Sequence, residues 1–287
     1  MSPPTRALVL GAGGYAAMAW EIGFLAGMAD TGIDPREAEA FVGTSAGAIV
    51  AAQITSGVSL EELFQIQLRG PRETGASGPA VDFRQWRTNL QQARSGGGNS
   101  TEILRRVGAL ALAVPPEAPS DRSEVASLLP RHVWPDRKLS LVAVDVRTGE
   151  RTAFERGSGI DLVDAVTASG VVAGISQPVV FNGHAYMDGG FYSLTNADLA
   201  IGYDHVLVVA LPAGVPPMSV VPLEAELEGI RAAHARVEVV HPDGTARSAF
   251  ASVGGNLLNP LVCEPAVRAG REQGRRWASE RPSGFWR

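Results

Sequence analysis

The chain has 287 residues, 45% hydrophobic and 19% charged, a balance that excludes disorder and suffices for a large buried core. A net charge of −5, with basic residues gathered only near the end, excludes a nucleic-acid footprint. The single cysteine, Cys263, excludes an internal disulfide framework or a thiolate metal cage and suits a reducing compartment.

The opening MSPPTRALVLGAGG carries one arginine and an apolar run of only four residues, too short for a signal segment, so a cytoplasmic protein is expected. RALVLG at 6–11 predicts a strand that ends in glycine-rich sequence and leads at once into an apolar helix at 15–29. That helix is interrupted by Glu21 and too short to span a bilayer, so it reads as a buried element. A second unit follows, a strand at 40–45 and a small-residue helix at 46–56. Two consecutive strand–loop–helix units predict a mostly parallel central sheet with helices on its faces. The region 70–135, with RGPRETGASGP, SGGGNS and VPPEAPSDR between short helical patterns, predicts a helical cap or lid inserted into a single domain spanning 1–287. Further strands are predicted at 139–146, 151–156, 177–190 and 205–211. The tail at 268–287 holds six arginines, two glutamates, Trp277, Phe285 and Trp286. That mix suits peripheral contact with an anionic membrane, but a final helix packed by Trp277 with a solvated arginine face is the stronger expectation.

G-T-S-A-G at 43–47 places Ser45 between a strand and a helix. Gly43 and Gly47 clear the space that a sharp strand-to-helix elbow needs, and the helix N-terminus offers N–H groups to a developing oxyanion. The earlier loop G-A-G-G-Y-A at 11–16 also fits a dinucleotide-binding fingerprint, with Asp30 and Asp34 at about the right distance. Neither aspartate follows a convincing second strand, and the loop has an alternative use: N–H groups of Gly13 and Gly14 converging on the oxygen that faces Ser45. A serine nucleophile needs a base. The five histidines, 132, 184, 205, 234 and 241, sit in turn, strand-edge or helical settings unprepared for catalysis, and lack close metal-ligand spacing. Asp188, in the strand-terminating YMDGG with Gly189 and Gly190, is the better candidate, although Asp-Gly is also a common turn dipeptide.

Together, the glycine-rich first loop, G-T-S-A-G, and TASGVVAGISQPVVFNGHAYMDGGFYSLTN at 167–196 resemble the patatin-like phospholipases in order and spacing. The resemblance implies a three-layer α/β/α fold and lipid acyl hydrolysis by a Ser–Asp dyad without histidine. It implies Ser45 as nucleophile, Asp188 as base and Gly11, Gly13 and Gly14 as the oxyanion loop, acting on a lipid or other acyl-ester substrate with no cofactor and no metal. Two departures stand out. Where the family loop carries a basic residue and a last glycine, this chain has Ala16 and Ala17, and SGVVAGISQP lacks the proline of the family's A-S-x-x-x-P run. If the missing charge limits oxyanion stabilisation, Ala16→Arg is expected to raise ester turnover with little change in stability. The alternatives are a Ser–His–Asp α/β-hydrolase, an inactive lipid-binding relative and a Rossmann-type nucleotide binder.

Overall fold

The computed structural model describes residues 4–70, 82–115, 121–212, 218–281 and 285–286. Parts of the predicted cap, 71–81 and 116–120, and of the tail, 282–284 and 287, lie outside the described residues.

Strand β1 (Arg6–Leu10) feeds helix α1 (Gly14–Ala29), and β2 (Ala40–Thr44) feeds α2 (Ala46–Ile54), followed by α3 (Leu60–Arg69). The 70–135 region contributes α4 (Phe83–Ser95), α5 (Ser100–Leu112) and α6 (Arg122–Leu128). Then come β3 (Lys138–Asp145), β4 (Arg151–Phe154), α7 (Leu162–Gly170), β5 (Val179–Phe181), β6 (His184–Asp188) and β7 (His205–Val209). The chain continues through α8 (Leu223–Ala232), β8 (Arg236–Val240), α9 (Gly244–Ala251) and α10 (Cys263–Ser279). The strands form one sheet in the order β5-β6-β3-β2-β1-β7-β8, with β4 also on β3. From β3 to β8 the neighbours are parallel, while β4, β5 and β6 pair antiparallel.

Alternation along the strands sorts side chains into two cores. Leu8, Leu10, Phe41, Leu139, Leu141 and Leu207 face α1, α2, α7 and α10. Ala7, Val9, Val42, Val206 and Val208 face α8, and Val144 on the same side of β3 faces α5. The sheet thus lies between two helical layers, a three-layer α/β/α sandwich. Helix α5 belongs to the second layer, burying Leu104, Val107 and Ala111 against Val144, Val146 and Met187. Helix α4 lies outside it, with Leu90 its one buried residue.

Helix α1 is apolar all round because it is covered all round: the sheet takes one side and α10 another. Backbones of α1 and α10 approach so closely that a Cβ on Gly27 would sit 2.1 Å from the Arg271 carbonyl oxygen, and one on Gly274 2.1 Å from that of Phe24. The tail therefore forms the expected packed final helix. Its arginines are also matched by acids: Arg271 by Asp30 and Glu61, Arg275 by Asp30 and Glu272, Arg276 by Asp243, Arg268 by Glu264, and Arg281 by Glu238. Each of these arginines is thus ion-paired. No helix among the described residues is long and apolar enough to cross a membrane.

Candidate active site

Sheet register brings the two candidate reactive residues together. Thr44 pairs with Val142, and the next residue of β3, Ala143, pairs with Asp188 on its other neighbour. Ser45, one step beyond Thr44, and Asp188 therefore stand level on either side of β3, with the Ser45 side chain near enough to the Asp188 carboxyl to favour its ionised form. The hairpin that delivers Asp188 turns at Asn182 and Gly183, both at positive φ, as an Asn-Gly hairpin requires. Because β6 runs opposite to β3, Asp188 approaches Ser45 against the direction of the parallel strands.

Ser45 has φ 56° and ψ −119°, a strained conformation held by its surroundings. Gly43 and Gly47 explain how the elbow closes: a Cβ on Gly47 would lie 2.1 Å from the Leu10 carbonyl oxygen, and one on Gly43 2.7 Å from Ala48 Cα. The Ser45 N–H donates to Ser169 Oγ at 2.9 Å, and Ser169 donates to the Val142 carbonyl at 2.6 Å, so a buried serine braces the elbow to β3. Asp188 is 2% exposed. Burial pushes its carboxyl up to about 7, against the opposing effects of the Ser45 side chain and the Gly190 N–H, which donates to Oδ1 at 2.7 Å. Gly189 and Gly190 form a tight 3-10 turn after Asp188, with Gly189 pressed on the Val142 carbonyl.

The glycine loop divides in two. Gly11 donates to the Val209 carbonyl and to Glu21 Oε1, both at 3.0 Å, so its N–H belongs to the strand end and not to the free donors. Gly13 and Gly14, at φ 154° and 60°, and Ala46, the first residue of α2, have N–H groups without an acceptor among the described residues. These are the donors available to an oxyanion beside Ser45. Glu21, fully buried, keeps its carboxyl well above the usual range through desolvation. Tyr15, next in the loop, donates its hydroxyl to Glu124 of α6, which ties the 70–135 region to the loop.

Ala16 and Ala17 are fully buried in the first core. This corrects the expectation for Ala16→Arg: a guanidinium there has no solvent and no pocket, so the variant is expected to lose about 3 kcal/mol or more, read as a lower melting temperature, with no gain in turnover. In place of the absent proline, the loop after α7 is fixed by hydrogen bonds: Asp188 N–H to the Val171 carbonyl at 2.8 Å and Trp86 Nε1 to the Ala173 carbonyl at 2.9 Å.

Sequence reasoning missed the polar cluster behind Ser45 and Asp188. Asn196, fully buried at φ 51°, donates through Nδ2 to Thr44 Oγ1 at 3.0 Å and to the Ser193 carbonyl at 2.9 Å. Thr195 donates to Glu226 at 2.5 Å, and burial pushes Glu226 up to about 6. This cluster joins the residue before Ser45 to the loop that follows Asp188. Ser169 and Asn196 lie in the segment singled out by resemblance, but Glu226, in LEAELEG, carries no local signal of burial.

No histidine among the described residues bonds to Ser45 or Asp188. His132 and His241 bond to backbone carbonyls, His184 to Asp145, and His205 stacks on Phe285, while His234 follows α8 at positive φ. His184 opens the strand that Asp188 closes, about 13 Å away at the strand rise. The dinucleotide reading loses its acid: Asp30 is paired with Arg271 and Arg275, and Asp34 with Arg36. A groove of about 530 Å³ bordered by Arg105, Arg106, Leu112 and Arg147 lies along α5, and no residue of the Ser45 site lines it.

No curated protein matches the sequence. Among solved structures, the chain is similar to VipD from Legionella pneumophila, at 12% identity and a TM-score of 0.48, covering 97% of this chain and 67% of that one. It is also similar to the type III effector protein ExoU, at 16% identity and a TM-score of 0.44, over 98% of this chain and 54% of that one. Full-length ExoU of Pseudomonas aeruginosa in complex with SpcU gives 16% identity and a TM-score of 0.37, over 96% and 53%. The chain thus spans about half the length of the ExoU chains. The family model of the patatin-like phospholipases matches residues 8–201, from β1 through the elbow and the Asp188 turn, and the chain belongs to that family.

Proposed function

We propose that this protein is a lipid acyl hydrolase of phospholipase A or esterase type, cleaving acyl esters through a Ser45–Asp188 dyad and an acyl-enzyme, with 70–135 as a cap on a single hydrolase domain acting in the cytoplasm. The observation that carries the proposal is the juxtaposition, set by register across β3, of a strained, elbow-mounted Ser45 and a buried Asp188 whose carboxyl is pushed up to about 7. A carboxylate near its ordinary pKa is a weak base for an alcohol, and desolvation strengthens it. Ionised Asp188 accepts the Ser45 hydroxyl proton as Oγ bonds to the ester carbonyl carbon. The carbonyl oxygen takes the negative charge and faces the N–H groups of Gly13, Gly14 and Ala46. Collapse breaks the bond to the alcohol, which leaves with the proton held by Asp188. Water, deprotonated by Asp188, then attacks the acyl-enzyme and releases the acid and Ser45.

Incubation with a fluorophosphonate probe tests the reading. The wild type should be labelled on Ser45, and Ser45→Ala should lose both label and ester turnover while staying folded. An unlabelled, well-folded wild type would leave an inactive lipid binder as the better account, and a thermal shift with NAD or FAD would favour a nucleotide binder.

A further inference from the structure

Helix α4 differs from α10 in how its arginines are held. It carries Arg84, Arg87 and Arg94 and no acidic residue, in a chain of net charge −5. Arg94 is engaged, donating to the Ser219 carbonyl at 2.9 Å. Arg84 and Arg87 are exposed, and neither guanidinium has a partner among the described residues, in contrast to the paired arginines of α10.

The helix is also tied at two points to segments that lead to Asp188. Trp86 pins one part of it to Ala173 and Arg94 pins another to Ser219, and both segments border Asp188. Val171 accepts the Asp188 N–H, and the Met218 methyl lies 3.4 Å from where a Gly190 Cβ would be. Beside the oxyanion loop, a Cβ on Gly14 would sit 2.6 Å from Leu258 Cδ2. The segment between α9 and α10 exposes Leu258 by 37% and Leu261 by 75%. Unpaired arginines thus lie on the Asp188 side of Ser45 and exposed leucines on the Gly14 side.

We infer that the outer face of α4, through Arg84 and Arg87, together with Leu261 of the neighbouring loop, docks on an anionic lipid surface and presents the Ser45 site to it. Arginines adsorb to anionic headgroups and a leucine entering the acyl boundary adds apolar contact, a combination that fits a lipid surface by charge and by chemistry. The inference rests on the proposed acyl hydrolysis for its meaning but can be tested apart from it.

The full-length chain is sedimented with phosphatidylcholine vesicles and with vesicles containing phosphatidylglycerol, and turnover of a monomeric p-nitrophenyl ester is measured in parallel. The wild type should bind the anionic vesicles and not the neutral ones, with binding lost at high salt. The double variant Arg84→Gln/Arg87→Gln should bind at least about tenfold more weakly, and Leu261→Ser should weaken binding further, both with unchanged ester turnover and melting temperature. Equal binding to both vesicles, or wild-type binding by the double variant, would overturn the assignment. So would ester turnover without any vesicle binding, which would leave the hydrolase reading intact. Arginine-dependent binding in a protein that turns over no ester would uphold the surface and sink the hydrolase. Concentration-dependent self-association abolished by the double variant, without lipid binding, would make the face an interface between copies and overturn the proposal.

Discussion

Asp188→Asn is expected to abolish turnover and stabilise the protein at the same time. Removing the proposed base of Ser45 should lower kcat by about 10³-fold or more, whereas no single histidine variant should cost more than about tenfold. The wild-type profile of kcat/KM should rise with pH through an apparent pKa near 7, because only ionised Asp188 accepts the serine proton. The stability effect has the opposite sense. A carboxyl whose folded pKa is raised binds more protons folded than unfolded, so stability falls as pH rises from about 4 to about 7. Asparagine removes that charge and can still accept from the Gly190 N–H. The variant should therefore be more stable than wild type at pH 8 by on the order of 2–4 kcal/mol, read as a higher melting temperature, and about equally stable at pH 4. Glu21 and Glu226 also carry raised carboxyls, but both variants keep them, so they cancel in the comparison. A histidine variant as inactive as Ser45→Ala, or an acid limb far below 7, would assign the base elsewhere.

Gly27→Val should be strongly damaging although it lies far from Ser45 in the fold. The new Cβ would fall 2.1 Å from the Arg271 carbonyl oxygen and 2.9 Å from the Arg275 N, backbone that cannot move without separating α1 from α10. Separation would open the faces that bury Phe24 and Trp277 and break the pairing of Asp30 with both arginines. The loss should reach about 3 kcal/mol or more, a fall of roughly 6–12 °C in Tm for a chain of this size. Gly157→Ala, where an added Cβ meets nothing within 4 Å, is the control and should melt like wild type. An unshifted Gly27→Val would mean that α10 is not packed against α1 as described.

What the sequence determined by itself was whatever local pattern encodes. RALVLG and AFVGTS declare strands through β-branched and apolar runs, G-T-S-A-G declares the elbow because only glycine leaves room around Ser45, and YMDGG marks the end of β6. Strand β8 escaped because RVEVV is short and alternates with charge, and it was added at the sheet edge by pairing with β7. Tertiary structure alone decided the rest, since burial and cross-chain pairing depend on residues far apart in sequence. Register across β3 set Ser45 beside Asp188, although 143 positions separate them in the chain. Burial raised the Asp188 carboxyl and closed off Ala16, where the family resemblance implied a place for a basic side chain. The same burial put Glu226 behind the loop that follows Asp188, in a helix that reads as solvated. Arginine content in the tail and in α4 looks alike along the chain. Only packing distinguishes them, because α10 brings its arginines against acids of other elements while α4 leaves Arg84 and Arg87 facing outward.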